Sequence, residues 1–174
     1  LPVYKISTEW VKYNFENVRI KKWKVRECNR LGVTELDPRK QEHQDVVQEI
    51  LLKTKSYTHQ SAASLKEDMA EKEQEDPAFV TPDGILLNGN RRCAVLRDFV
   101  TNGFTSEKGN NIQVGEPKWK DILVCPLPQL SEMELRLLEK RIQQKPKTEQ
   151  DYGGINEMID IRDEFRDKFR DVKI

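Results

Sequence analysis

Arg91 and Arg92 stand side by side behind Asn88-Gly89-Asn90, at the head of a run in which Cys93, Leu96 and Val100 recur at helical spacing and Val95 and Phe99 widen the apolar stripe. A glycine turn leading into a helix gathers first-turn N–H groups and the positive end of the helix dipole at one point. Such a point favours anions, and phosphate is the common one. The dipole disfavours cations there by a few tenths to ~1 kcal/mol each, so two arginines in the first turn suggest that something negative is usually bound. The alternative is that both point into solvent or pair with a neighbouring Asp or Glu. Cys93, just behind the arginines, would have a lowered thiol pKa if exposed, but it shares the apolar face with Leu96 and is expected to be buried. His43 and His59 are the only histidines, and neither has metal-ligand spacing from a cysteine or from the other. A structural zinc site is therefore not expected, and His59 reads as an exposed loop residue. No Gly-x-Ser-x-Gly, Walker or Gly-x-Gly-x-x-Gly pattern occurs.

The elements that must hold this point can be read outward from it. Ala78 to Val80 reads as a strand, Pro82-Asp83-Gly84 as a type I turn closed by glycine, and Ile85 to Leu87 as a second, buried strand. Asn90 is expected to be the N-cap of the helix. Upstream, Asp37-Pro38 opens a helix with Val46, Val47, Ile50 and Leu51 on its apolar face, ending near Lys53. A polar connection, Thr54 to Gln60, leads to a helix bearing Ala62, Leu65 and Met69, whose acidic end (Glu71 to Asp76) is expected to be solvated and is stopped by Pro77. Val3 to Val11 suits a short strand or ordered lead-in. Asn17 to Arg30 is basic around Trp23; lysines around an aromatic can bind nucleic acid, but a solvated strand or helix with the tryptophan packed inward is the favoured expectation. Downstream, Thr101 to Pro117 reads as a long surface loop and Trp119 to Leu127 as a strand with Ile122, Leu123 and Val124 buried. Ser131 and Glu134 form a capping box for a helix bearing Leu135, Leu138 and Ile142, which Pro146 ends. After Gly153-Gly154, a last amphipathic helix carries Met158, Ile161, Phe165 and Phe169 and is expected to pack on its own domain or meet a partner.

The 174 residues suffice for one domain, with or without a helical extension. The 30 basic and 30 acidic residues balance, so no global field draws the chain to nucleic acid or membrane. Locally the balance fails: residues 1–30 hold eight basic residues against three acidic, and residues 64–76 six acidic against two basic. No apolar run is long enough to cross a membrane and no signal-peptide pattern is present. Three widely spaced cysteines argue against a disulfide framework and for a reducing cytoplasm. Beginning on Leu1, the chain is expected to be a domain excised from a longer protein.

The central stretch resembles the ParB/sulfiredoxin-like superfamily. ParB members carry Gly-Glu-Arg-Arg where Gly89-Asn90-Arg91-Arg92 stands here, and the preceding order (helix Ser64 to Glu73, strand, short turn, strand) is similar. A second family motif, Glu-Asn-x-x-Arg on the helix after the next strand, falls on Glu139-Lys140-Arg141-Ile142-Gln143-Gln144 and matches poorly. The resemblance covers roughly residues 55–150. It implies an α+β fold, a small mixed sheet with surrounding helices, with residues 1–54 belonging to the same domain, 55–150 as the nucleotide-binding core and 151–174 as a C-terminal helical extension. In ParB proteins this fold binds and hydrolyses CTP with magnesium and couples that to DNA clamping; relatives use ATP or ADP for phosphotransfer, and some are described as nucleases. Carried over, Asn88, Gly89, Asn90, Arg91 and Arg92 would form the site for a nucleoside triphosphate (CTP or ATP). Within it, Gly89 gives close backbone approach, Arg91 and Arg92 hold phosphates, and Glu139 assists a magnesium ion or the second phosphate edge as the catalytic candidate.

Two departures bear on this. Asn90 replaces a glutamate, and an amide is a weaker magnesium ligand than a carboxylate; the second motif lacks its Asn and its Arg. Residues 155–174 are too short for a helix-turn-helix, so sequence-specific DNA reading is not expected of this chain. The expected setting is a cytoplasmic module, possible as a homodimer, of a larger bacterial, archaeal or phage protein that acts with DNA. A nuclease or phosphotransferase of the same fold, using Glu16, Asp83 or Glu139, is one rival; an interaction module that has lost its nucleotide is another. Sulfiredoxin chemistry is not expected, because that family's cysteine precedes its arginine and Cys93 follows.

Overall fold

The computed structural model describes residues 2–53 and 62–144. They divide into one unit that runs to Gln129 and a second that begins at Leu130. In the first unit the elements are β1 (Tyr4–Ser7), a 3-10 turn (Thr8–Trp10), α1 (Val18–Leu31), α2 (Gln41–Lys53), α3 (Ala62–Lys72), β2 (Ala78–Val80), α4 (Asn90–Asn102), β3 (Phe104–Thr105), β4 (Asn111–Ile112), a 3-10 turn (Pro117–Trp119) and β5 (Asp121–Pro126). The second unit contributes α5 (Glu132–Gln144). The class is α+β: five helices and a small mixed sheet among the described residues.

β5 is the middle strand, with Ile122, Val124 and Cys125 all buried, and the apolar β2 beside it is buried throughout. β1 runs antiparallel to it, Tyr4 opposite Val124 and Ser7 opposite Asp121. β2 runs parallel, Ala78 opposite Val124 and Val80 opposite Pro126. α2 and α3 pack against α4, and α1 packs against α2. Cys93, Ala94, Val95, Leu96 and Phe99 are all buried, more than a single stripe would give. Phe99 stacks on Phe104 at 5.3 Å and meets Trp119 edge-on at 5.2 Å.

Several polar side chains tie α4 to its neighbours. Arg97 lies over the Tyr13 ring, 4.7 Å from its centroid, and donates to the carbonyls of Thr8 (2.5 Å) and Val11 (2.8 Å). Gln48 on α2 accepts from the Tyr13 hydroxyl and donates to the Ala94 carbonyl at 2.9 Å. Lys66 on α3 pairs with Asp98, whose carboxylate also accepts from Asn102. His43, expected only to lack a metal partner, is buried and its Nδ1 accepts from the Asp37 N–H at 2.7 Å.

Three sequence expectations are corrected. Ile85 to Leu87 is not a sheet strand: Leu86 and Leu87 are buried, but the run makes only isolated bridges, Lys12 to Ile85 and Val80 to Leu86. Its N–H groups bond to Lys12 and Phe79 carbonyls, so no continuous ladder forms. Thr101 to Pro117 is not a plain loop, since β3 and β4 pair within it and Ile112 is buried. Trp23 does not pack fully inward and keeps 37 % of its surface.

The acidic stretch of α3 and its C-terminal extension is engaged rather than simply solvated. Glu67 accepts from the Glu107 N–H, Glu71 pairs with Lys108 at 2.6 Å and Glu73 with Lys118 at 2.8 Å, fastening the hairpin and the second 3-10 turn. In the second unit the capping box forms as expected: Glu134 accepts from the Ser131 N–H at 2.7 Å and donates its own N–H to the Ser131 hydroxyl. Residues 145–174, with Pro146, the Gly153-Gly154 break and the last amphipathic helix, lie outside the described residues, as does His59.

Cys28, Cys93 and Cys125 are all buried thiols. Burial pushes Cys93 from its ordinary value of 9.0 up to about 11, against smaller lowering influences from Arg97 and Tyr13. Stability that depends on this neutral thiol is complete below about pH 9 and is lost as the pH rises towards 11. Titration with a thiol reagent at neutral pH should therefore label none of the three in the folded protein and all three in denaturant. Rapid labelling of Cys93 without denaturant would show that α4 is not buried.

Candidate functional site

Gly89 takes the left-handed conformation (φ 75°, ψ 6°) and is the N-cap of α4. A side chain there would fail twice. Its backbone angle is one that L-residues disfavour, and a Cβ would stand 2.6 Å from the Cβ of Ala78 and 3.4 Å from Arg92 Nη2. The Cys93 N–H closes the first helical turn onto the Gly89 carbonyl at 2.9 Å. Asn90 is thus the first helical residue and not the cap.

Both asparagines hold the fold. Asn88 Oδ1 accepts from the Phe79 N–H at 2.6 Å, while the Leu87 N–H donates to the Phe79 carbonyl at 2.8 Å. Asn90 is 3 % exposed; its Oδ1 accepts from the Asn14 N–H at 2.8 Å and its Nδ2 donates to the Leu86 carbonyl at 3.1 Å. Arg92 donates to the Asp76 carbonyl through Nη1, and Arg91 is 7 % exposed. The structure therefore brings Asn88, Gly89, Asn90, Arg91 and Arg92 together at one turn. Glu139 lies on α5 in the second unit, and Asp83 is exposed in the Thr81–Gly84 turn, which closes with a 2.9 Å bond from Gly84 N–H to the Thr81 carbonyl.

A cleft of about 380 Å³ that the sequence alone did not reveal opens beside Ile85, and none of residues 88–92 lines it. Its walls include Asn14, Glu16, Glu35, Asp37, Pro38 and Ile85. Residues 12–14 reach it alongside 84–90, through bonds from Lys12 N–H to Gly84 O, from Leu86 N–H to Lys12 O and from Asn14 N–H to Asn90 Oδ1. Val11, Tyr13 and Phe15 are buried in alternation, a period of two that was available in the sequence as the sign of an extended segment. Lys24 bridges two carboxylates of this wall, Glu16 at 2.7 Å and Glu35 at 3.3 Å. Burial alone would lower the Lys24 ammonium, but the bonds and charges of Glu16 and Glu35 outweigh it and hold it above its ordinary value. Among the described residues no group of three or more His, Cys, Asp or Glu side chains is placed to hold a metal ion, and no helix is long and apolar enough to cross a membrane.

Compared with protein-family models, curated proteins and solved structures, the chain gives no match.

The close approach of Gly89 can be weighed against a glycine with the same handedness and nothing near it. Gly109 has φ 89°, and a Cβ added there would meet no atom within 4 Å, whereas one at Gly89 would strike Ala78. Gly109→Ala should cost ~1–2 kcal/mol from the backbone angle alone. Gly89→Ala should cost ~1–3 kcal/mol more, because an overpacked contact typically adds that much. Urea unfolding of both variants checks this, and equal losses would mean that the turn yields without strain.

Proposed function

We propose that residues 2–129 form a nucleotide-binding module in which a nucleoside triphosphate, CTP or ATP, is held at the first turn of α4. The observation that carries the reading is the charge of that turn. It holds Arg91 and Arg92 and no acidic residue, at the end of the helix where the dipole already favours anions. The cleft at Asn14 and Ile85, which the Asn14–Asn90 bond links to this turn, is within the size range of small-molecule sites. Gly89, the first-turn N–H groups and the two arginines would hold phosphates. Magnesium would need only one or two protein carboxylates beside the phosphate oxygens. Glu16, Glu35 and Asp37 line the cleft, and Glu139 is the carboxylate that the ParB resemblance would recruit. Binding is proposed without a commitment to hydrolysis, phosphate transfer or nuclease action.

One observation favours a second reading, an interaction module that keeps the fold without the nucleotide. Asn88, Asn90 and Arg92 each give a side-chain hydrogen bond to the protein's own backbone. The two readings part in a thermal-shift and calorimetry panel of CTP, ATP and GTP with and without magnesium. A ligand at 100 times its dissociation constant should add ~2.7 kcal/mol of stability. Arg91→Ala and Arg92→Ala should remove that gain while each apo variant still melts cooperatively; Arg92→Ala should also lose ~1 kcal/mol without ligand, for its bond to Asp76. No shift with any nucleotide would favour the interaction module, and full affinity in both variants would place the site elsewhere.

A further inference from the structure

α1 is the most unbalanced element of a chain whose charges balance overall. It carries six basic residues (Arg19, Lys21, Lys22, Lys24, Arg26, Arg30) against one acid, Glu27. Ile20 and Cys28 are buried on its inner side and Leu31 packs against the core with them. Lys24 is tied to Glu16 and Glu35, and Arg30 to Glu27 at 2.6 Å. Arg26 makes no ion pair among the described residues. It is exposed and lies over the Trp23 ring, 5.8 Å from the centroid, within cation–π range. Trp23 keeps 37 % of its surface and Val25 68 %. α1 thus presents a partly exposed indole with a guanidinium over it, on a helix whose sequence is strongly basic.

The chain's own acidic run is not the missing counterpart. Within the chain, Asp68 pairs with Lys72, Glu71 with Lys108 and Glu73 with Lys118, while Glu67 holds the Glu107 N–H. Those carboxylates are engaged where they stand.

We propose that the outer face of α1 binds single-stranded nucleic acid, with Trp23 stacking on a base and Arg26 and the helix's other cations neutralising phosphates. Phosphate neutralisation and base–aromatic stacking are the two recurring terms of single-strand binding. The exposed ring is what favours a single strand, because the bases of a duplex are already stacked on one another. These residues are distinct from the turn at Gly89, and the proposal does not depend on nucleotide binding there.

The test is fluorescence anisotropy of a short labelled oligothymidine with the whole chain, without nucleotide, between about 50 and about 200 mM salt. The strand should bind, and log affinity should fall against log salt by about 0.7 for each phosphate neutralised. Trp23→Ala should weaken binding by about fivefold or more, and Lys22→Glu with Arg26→Glu should abolish it. Circular dichroism melts should show all variants folded, since Arg26 is exposed and Trp23 lies outside the core cluster. Three results would overturn the proposal: no binding at the lower salt, affinity unchanged in both variants, or a duplex bound as tightly as the strand and indifferent to Trp23→Ala. Polyglutamate competing as well as the oligonucleotide, charge for charge, would also overturn it by leaving a general polyanion surface.

Discussion

Ala78 and Gly89 pass so close that only a hydrogen atom fits between them. This contact sets where β2 ends and α4 begins, and much of the surrounding structure is its consequence. Once the backbone at 89 is against β2, Leu87 and Asn88 reach both backbone groups of Phe79, and Arg92 reaches back to the Asp76 carbonyl. A three-residue strand that pairs with a neighbour on one side only is thereby held from the other side by the turn that follows it. The same approach turns the first helical residues towards residues 12–14, and the Asn14–Asn90 bond completes that seam.

Most of the favourable free energy comes from burying apolar side chains, those of α4 and β5 among them, at roughly 25 cal/mol per Å² of apolar surface. The polar ties contribute less each, ~1 kcal/mol net for an ordinary hydrogen bond, yet they decide the arrangement. Arg97, through Thr8 and Val11, fixes the segment after β1; Gln48 fixes α2 through Tyr13 and Ala94; Asp98 fixes α3 through Lys66. Each of these three neighbours of α4 is located by a polar contact, where an apolar interface alone would leave it free to slide.

What could be read from the sequence, and what could not, follows the same division. β2, α2, α3, α4, β5 and the Ser131–Glu134 box announce themselves through local spacing, and Cys93 through its place on an apolar face. The Gly89 turn was legible because glycine before a helix has few other uses. Features that depend on partners distant in sequence were not. Ile85 to Leu87 has the composition of a strand, but its bonds go to Lys12 and Phe79 one at a time. β3 and β4, at two residues each, are too short to show a period, and their pairing rests on Phe104 and Ile112 being covered. Asn90 looks like a cap from its neighbours alone; Asn14, 76 residues away in the chain, gives it another role.

The asparagine at position 90 also bears on any chemistry at this turn. Its oxygen and nitrogen are both engaged by backbone groups and it is almost wholly buried. A carboxylate in its place could accept the Asn14 N–H but could not donate to the Leu86 carbonyl, and it would bring a charge into a buried position, which costs free energy unless paired. The amide therefore suits the fold of this chain better than the glutamate of the motif it resembles. If an anion is held here, the contribution of position 90 is its backbone N–H, while charge must come from the arginines and selectivity from the cleft walls at 13–16 and 35–38. On that proposal the roles separate: the turn would supply a general attraction for negative charge, and whatever distinguished one anion from another would lie in residues that the motif does not contain.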